Sequence, residues 1–308
     1  AAEAMLRPAL RGRSFFSWGS ARSMRTVPST IVHPPYAATG QVPACPPYVV
    51  LQTEEGLHKL RKAGQLAREM LELTCSLAVP GKTTDEIDAE VHEAIVARGA
   101  YPAPLNYRGF PKSVCSSINR EVCHGIPSSR PLEEGDIAKF DVSVYFDGHF
   151  GDNCATVCVG EVDAEGQRLV TASREAILAA LPYCVPGGCL SNIGRAIHEV
   201  ADKYGYQSVE QYGGHGIGAH FHMPPFVQHF RNSDHLDLVP GLVFTIEPMI
   251  VEGSKHCHLD PGDGWTVLTK DSGRAAQFEH MVAITEDGHE VLTRGKTEEE
   301  GNSIALGF

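Results

Sequence analysis

The stretch Ile137-Ala-Lys-Phe-Asp-Val-Ser-Val-Tyr-Phe-Asp147-Gly148-His149-Phe-Gly-Asp-Asn-Cys-Ala-Thr-Val-Cys-Val159 decides the fold. Its two arms are rich in β-branched and aromatic residues, and Asp147-Gly148 between them is a two-residue hairpin signal. With residues 147 and 148 as the loop, Phe146 faces His149 and Ser143 faces Asp152. Asp141 then shares a face with Ser143 and lies diagonal to Asp152, with backbones roughly 7 to 8 Å apart. Two carboxylates so placed repel each other, but they can close around one cation or a pair of them.

Outward from this hairpin the chain repeats itself. Val79-Pro80-Gly81 recurs as Val185-Pro186-Gly187, and at the same displacement Ile87 recurs as Ile193, His92-Glu93 as His198-Glu199, and Gly99 as Gly205. Continuing the displacement sets Leu132 on Leu238, Gly135 on Gly241 and Asp141 on Glu247. His124-Gly125-Ile126 matches His215-Gly216-Ile217 at a shorter displacement, as expected if each half carries an insertion at a different place. Two halves, each reading as helices followed by strands, imply a pseudo-symmetric α/β domain whose carboxylates face one another across an internal axis. A first helix is predicted ahead of the repeat. Leu57, Leu60, Gly64, Ala67, Leu71, Thr74 and Ala78 recur at alternating steps of three and four, opened by Thr53 and closed before Pro80-Gly81.

Two further acids interrupt apolar strands: Glu247 follows Leu-Val-Phe-Thr-Ile, and Glu279 precedes His-Met-Val-Ala-Ile. A carboxylate buried without a partner costs several kcal/mol, so each needs a cation or a raised pKa. Basic residues are scarce nearby, and the four acids together point to metal. Between residues 215 and 222 lie three histidines, His215, His220 and His222, with glycine on both sides of His215. His215 has a repeat mate in His124, whereas only proximity recommends His220.

The chain has 308 residues and a formal net charge of −12. Its first 30 residues carry five arginines against one acid, so the remaining body is more acidic still. That body argues against a phosphate-binding nucleic-acid surface, and its apolar runs are too short to span a bilayer. The Arg- and Ser-rich composition of residues 1–27 is that of a mitochondrial transit peptide, with Met5 as the expected start. Nine cysteines without a C-x-x-C spacing fit a reducing compartment, the mitochondrial matrix, better than a disulfide framework. Residues 28–52, with prolines at 28, 34, 35, 43, 46 and 47, read as an extended surface arm. Residues 53–293 read as the catalytic domain and 294–308 as an acidic solvated tail.

Several motifs in order carry a resemblance to a known family. They are Tyr107-Arg-Gly-Phe110-Pro-Lys-Ser-Val-Cys115, Cys123-His124-Gly-Ile-Pro, Asp141 with Gly151-Asp152, Gly-His215-Gly-Ile-Gly, Phe221-His222-Met-Pro-Pro, Thr-Ile-Glu247-Pro-Met, Asp-Gly-Trp265-Thr and Gln-Phe-Glu279-His. Over residues 50–293 the sequence resembles the type I methionine aminopeptidases, in particular their mitochondrial form. The resemblance implies the pseudo-two-fold α/β (α+β) "pita-bread" fold of creatinases and aminopeptidases. It implies Asp141, Asp152, His215, Glu247 and Glu279 as ligands of two divalent ions drawn from Co, Mn, Fe or Zn. It further implies Glu247 as the proton carrier, His222 as donor to the scissile carbonyl and His124 as a group that orients the substrate. Tyr107, Phe110, Cys115, Phe221 and Trp265 would line the methionine pocket. The expected partners are nascent-protein and peptide N-termini beginning with Met and bearing a small second residue. Nucleic acid and membrane are not expected partners, and the enzyme is expected to act as a monomer.

Pro104, Ala275 and Met281 depart from the family pattern, where Cys, Ser and Thr are usual. Two rival readings are an X-Pro peptidase of the same fold and a metal-free binding module. The first is disfavoured by the Cys-His-Gly-Ile-Pro and aromatic motifs, the second by the presence of all five candidate ligands. A type II enzyme is disfavoured by the short interval between His215 and Glu247, which leaves no room for a helical insertion.

Overall fold

The computed structural model describes residues 24–295. The first half holds helices α1 (Glu54–Ser76) and α2 (Thr84–Ala97) and strands β1 (Tyr101–Pro102), β2 (Cys115–Ile118), β3 (Glu121–Cys123), β4 (Ile137–Phe146) and β5 (His149–Cys158). The second half opens with α3 (Ala164–Ala180) and α4 (Leu190–Tyr204). It continues through β6 (Gln207–Ser208), β7 (Gly214–Gly216), β8 (Met223–Val227), β9 (Val243–Ile246) and β10 (Met249–Val251). It ends with β11 (Cys257–Leu259), β12 (Val267–Thr269), β13 (Ala275–Gln277), β14 (His280–Ile284) and β15 (His289–Val291). The two principal sheets run β1-β4-β2, with β5 paired to β4, and β15-β14-β9-β7-β8. Thr156 Oγ1 and the Cys154 carbonyl tie β5 to the segment running from β13 into β14, accepting from the Gln277 and Glu279 amides at 2.9 Å each.

The hairpin forms in the expected register, with Ser143 opposite Asp152 and Asp141 opposite Cys154. Alternation then sorts the side chains. Ala138, Phe140, Val142 and Val144 enter the main core beneath the helices, with Leu71, Ile87, Ile177 and Ile193. Lys139, Asp141 and Ser143 face the other way. Helix α1 lies close on β5: a Cβ at Gly151 would stand 2.1 Å from the Ala63 carbonyl oxygen, so only glycine fits there.

The internal repeat is visible bond by bond. Gly81 N donates to Leu132 O at 2.7 Å and Gly187 N to Leu238 O at 2.8 Å. Thr83 bridges Pro131 as Cys189 bridges Asp237. Three glycine pairs share left-handed φ values: 88° and 75° at 81 and 187, 73° at both 99 and 205, and 89° and 86° at 135 and 241. The recurrent glycines end helices or turn into strands, where an L side chain would be strained.

The proline-rich arm is tied to the domain. Tyr36 is fully buried and donates to Ala103 O at 2.6 Å. Arg25, which the sequence reading placed in the leader, pairs with Asp88 at 2.9 Å and with Asp85 at 3.3 Å. Residues 1–23 of the expected leader and 296–308 of the expected tail lie outside the described residues.

Lys139 is 2% exposed. Its ammonium donates to Asn119 O in the first half and to Ala275 O in the second, at 3.1 and 2.8 Å. Burial pushes this ammonium down to about 8. The folded chain therefore holds fewer protons than the unfolded chain above that value and below the ordinary lysine value, so this group makes stability rise with pH in that window. Denaturant unfolding between about pH 7.5 and about pH 9.5 is expected to show a gain of about 2 kcal/mol that Lys139→Met lacks. Parallel pH profiles for the two proteins would contradict the buried ammonium.

Candidate metal centre

The site lies where the hairpin meets the second sheet. Strands β4 and β5 bring Asp141 and Asp152, β7 brings His215, and Glu247 and Glu279 leave the ends of β9 and β13. Asp152, His215 and Glu279 are buried and each offers a ligand atom within 4.8 Å of the others. His215 Nε2 is 3.6 Å from Asp152 Oδ2 and 3.6 Å from Glu247 Oε1. Ser143 Oγ donates within the acidic cluster, 2.8 Å from Asp152 Oδ1 and 3.3 Å from Asp141 Oδ1.

Burial and then mutual repulsion drive the electrostatics. Glu247 is pushed up by burial and then by Asp152. Asp141 is pushed up by burial, then by Asp152 and Glu247, and Glu279 by burial, then by Asp152, Glu247 and Asp141. Glu279 Oε1 is buried and finds no hydrogen-bond partner among the described residues. His215 Nδ1 lies 3.1 Å from Gly216 O, a group that can only accept, so Nδ1 carries the proton and Nε2 turns its lone pair toward Asp152 and Glu247. An orphaned carboxylate oxygen, an imidazole lone pair and repelling acids at one point form a donor set that a divalent cation fits. Four carboxylates and one imidazole suit Mn, Co, Fe or Zn, and affinity alone does not choose among them.

Several supporting groups escaped the sequence reading. Thr245 Oγ1 donates to Glu247 Oε1 at 3.0 Å and accepts from the His215 amide at 3.0 Å. Gln277 Nε2 donates to Glu247 Oε2 at 3.3 Å. His229, 1% exposed, accepts from the Glu247 amide at 3.2 Å through Nε2, and burial pushes its ring down to about 3. Thr245 and Gln277 sit two residues before a ligand on the same strand face, a signal that period-two reasoning could have used. His229 reaches Glu247 only through tertiary folding. Met281, noted as a departure, places its sulfur 3.2 Å from the Asp152 amide.

The other expected residues surround this centre in two groups. Tyr107 OH is 2.8 Å from His222 Nδ1, and Phe221 packs edge-on to Tyr107 with centroids 5.2 Å apart. The His222 ring lies 4.2 Å from that of His215. Phe110 packs edge-on against Trp265 at 5.2 Å, and His124 stands 6.5 Å from Trp265. Cys115 is opposite Asp141 in the β2–β4 register and is buried, its thiol pushed up by burial and then by Asp141. Burial lowers both histidines, His124 to about 4 and His222 well below the ordinary imidazole range, so both are neutral near pH 7. His124 adopts a left-handed φ of 56°, a strained value for a non-glycine residue and one that marks a constrained turn.

Comparison with known proteins points to one family. Residues 58–286 match the metallopeptidase family M24. The chain is 45% identical to methionine aminopeptidase 1D, chloroplastic/mitochondrial, of Arabidopsis thaliana, over 90% of this chain and 79% of that protein. It is 43% identical to the human methionine aminopeptidase 1D, mitochondrial, over 88% of this chain and 81% of that protein. The crystal structure of methionine aminopeptidase from Rickettsia prowazekii superposes with a TM-score of 0.78 at 42% identity, covering 80% of this chain and all of that one. Buried acids gathered on a pseudo-two-fold α/β frame and a sequence match over most of the chain lead to one conclusion: this chain belongs to metallopeptidase family M24, with the pita-bread fold, among its methionine aminopeptidases.

Proposed function

We propose that Asp141, Asp152, His215, Glu247 and Glu279 hold two divalent ions, and that the chain removes the initiator methionine from nascent proteins in the mitochondrial matrix, acting as a monomer. The observation that carries this reading is the convergence of buried Asp152, His215 and Glu279, the last with a carboxylate oxygen that has no hydrogen-bond partner among the described residues. Relatives from plants and animals named as mitochondrial methionine aminopeptidases support the compartment and substrate. Among the described residues no helix is long and apolar enough to cross a membrane.

When bound, a metal pair supplies Lewis acidity toward a carbonyl and a water acidified to near neutrality. The chain's own residues then have distinct tasks. The substrate's free, unprotonated amine end docks at this centre, which confines cleavage to the first peptide bond. Glu247, held by Thr245 and Gln277, takes up a proton and passes it to the leaving amine. Neutral His222 donates to the scissile carbonyl as charge grows on it, and His124 orients the amide. Phe110, Trp265, Phe221 and the buried Cys115 give the methionine side chain an aromatic and sulfur-lined wall, where thioether-ring contacts are worth about 0.3 to 1.5 kcal/mol each.

The full chain, stripped and reloaded with Mn or Co, is expected to release methionine from Met-Ala-Ser but not leucine from Leu-Ala-Ser, and Asp152→Ala to abolish release. Equal turnover of a Gly-Pro peptide would favour an X-Pro peptidase, and no turnover with any metal a binding module. His222→Ala is expected to lower kcat by about a hundredfold. Because three ligand carboxylates are pushed up in the empty protein, they bind protons that metal must displace. Calorimetry in buffers of different ionisation enthalpy should therefore register proton release on metal uptake, with affinity weakening as pH falls. Uptake without proton release would count against these ligands.

A further inference from the structure

Tyr107 has a task beyond lining the methionine pocket. Its phenol oxygen lies 2.8 Å from His222 Nδ1. A phenol O–H is a much stronger donor than a neutral imidazole N–H, and an imidazole nitrogen a stronger acceptor than a phenol oxygen, so the phenol donates and Nδ1 accepts. An Nδ1 that accepts is unprotonated, and a neutral imidazole then carries its proton on Nε2. That is the one tautomer that leaves an N–H for an incoming carbonyl.

The local backbone is built to hold this arrangement. Asn106 and Arg108, on either side of Tyr107, both adopt left-handed conformations, with φ of 60° and 52°. Such conformations are costly at non-glycine residues and persist only where the surroundings impose them. The Asn106 side chain donates to Ala37 O of the arm at 2.8 Å, and its amide to Phe110 O at 2.8 Å. The Tyr107 ring is clamped edge-on between Tyr36 of the arm and Phe221, with centroids 5.1 and 5.2 Å away. Tyr36 in turn donates to Ala103 O, so its own hydroxyl takes no part in the Tyr107–His222 contact.

We propose that Tyr107 is a positioning residue: its O–H holds His222 as the Nε2–H tautomer, and the proline-rich arm holds Tyr107. The value of that tautomer to peptide hydrolysis rests on the aminopeptidase reading, whereas the tautomer itself does not.

Nitrogen-15 histidine spectra of the zinc-loaded full chain, with His222 assigned by His222→Gln, test the proposal. The wild type should show Nδ1 unprotonated and Nε2 protonated. Tyr107→Phe, which keeps the ring and its packing, should draw the two resonances together as both tautomers become populated. It should also lower kcat by about tenfold with KM nearly unchanged. Tyr36→Phe should leave the His222 resonances as in the wild type. A protonated Nδ1 in the wild type, a result that needs no variant to fold, overturns the proposal, as does a Tyr107→Phe spectrum identical to the wild type. Resonances that shift as expected in a protein that releases no methionine would sink the aminopeptidase reading and leave the positioning role standing.

Discussion

Mutual repulsion among buried carboxylates is the constraint on which the rest of this structure depends. Asp141, Asp152, Glu247 and Glu279 are brought together where water is scarce, and burial and repulsion lift three of them out of the ordinary carboxylate range. A folded chain tolerates such a cluster only if the frame is stiff or a cation offsets the charge. Here the frame supplies the stiffness. The ten-residue hairpin strands fix one pair of acids, the join between β5 and β13 places Glu279, and the Glu247 amide is pinned by His229.

The pseudo-two-fold arrangement explains why the acids come from distant stretches of chain. Each half turns from helix to strand through glycines at matching left-handed φ, and Asp141 in one half has Glu247 as its mate in the other. The halves are not identical in chemistry. Lys139, two residues before Asp141, reaches across to Ala275 O, and Thr245, two residues before Glu247, turns inward to Glu247 itself. One position serves as a tie between the sheets and the other as a brace for the acidic cluster.

The aromatic residues divide between two tasks. Phe110 and Trp265 pack edge to face near His124, whereas Tyr107, Phe221 and Tyr36 form a second cluster around His222. The arm before α1 belongs to that second cluster. The arm is not the extended surface segment its prolines suggested: it turns at residues 28–31 and 34–40, and Tyr36 anchors it by entering the core. Proline spacing cannot reveal such an anchor, because the ring's partners, Tyr107 and Phe150, lie far along the chain.

Sequence alone determined the local features of this protein. The hairpin register followed from Asp147-Gly148, because a two-residue turn leaves one way to pair the arms. The first helix followed from its period, starting after Thr53. The repeat and the family motifs marked the acids and histidines as a set, since acids set in apolar strands conflict with burial unless something pairs with them. Tertiary structure decided what those residues do to one another. His229 behind Glu247, Lys139 between the sheets and Tyr107 on His222 are contacts between residues whose separation along the chain carries no periodic signal. They exist because segments distant along the chain meet at one place, and hydrogen bonds there depend on positions to within a few tenths of an ångström, which no pattern of residue types encodes.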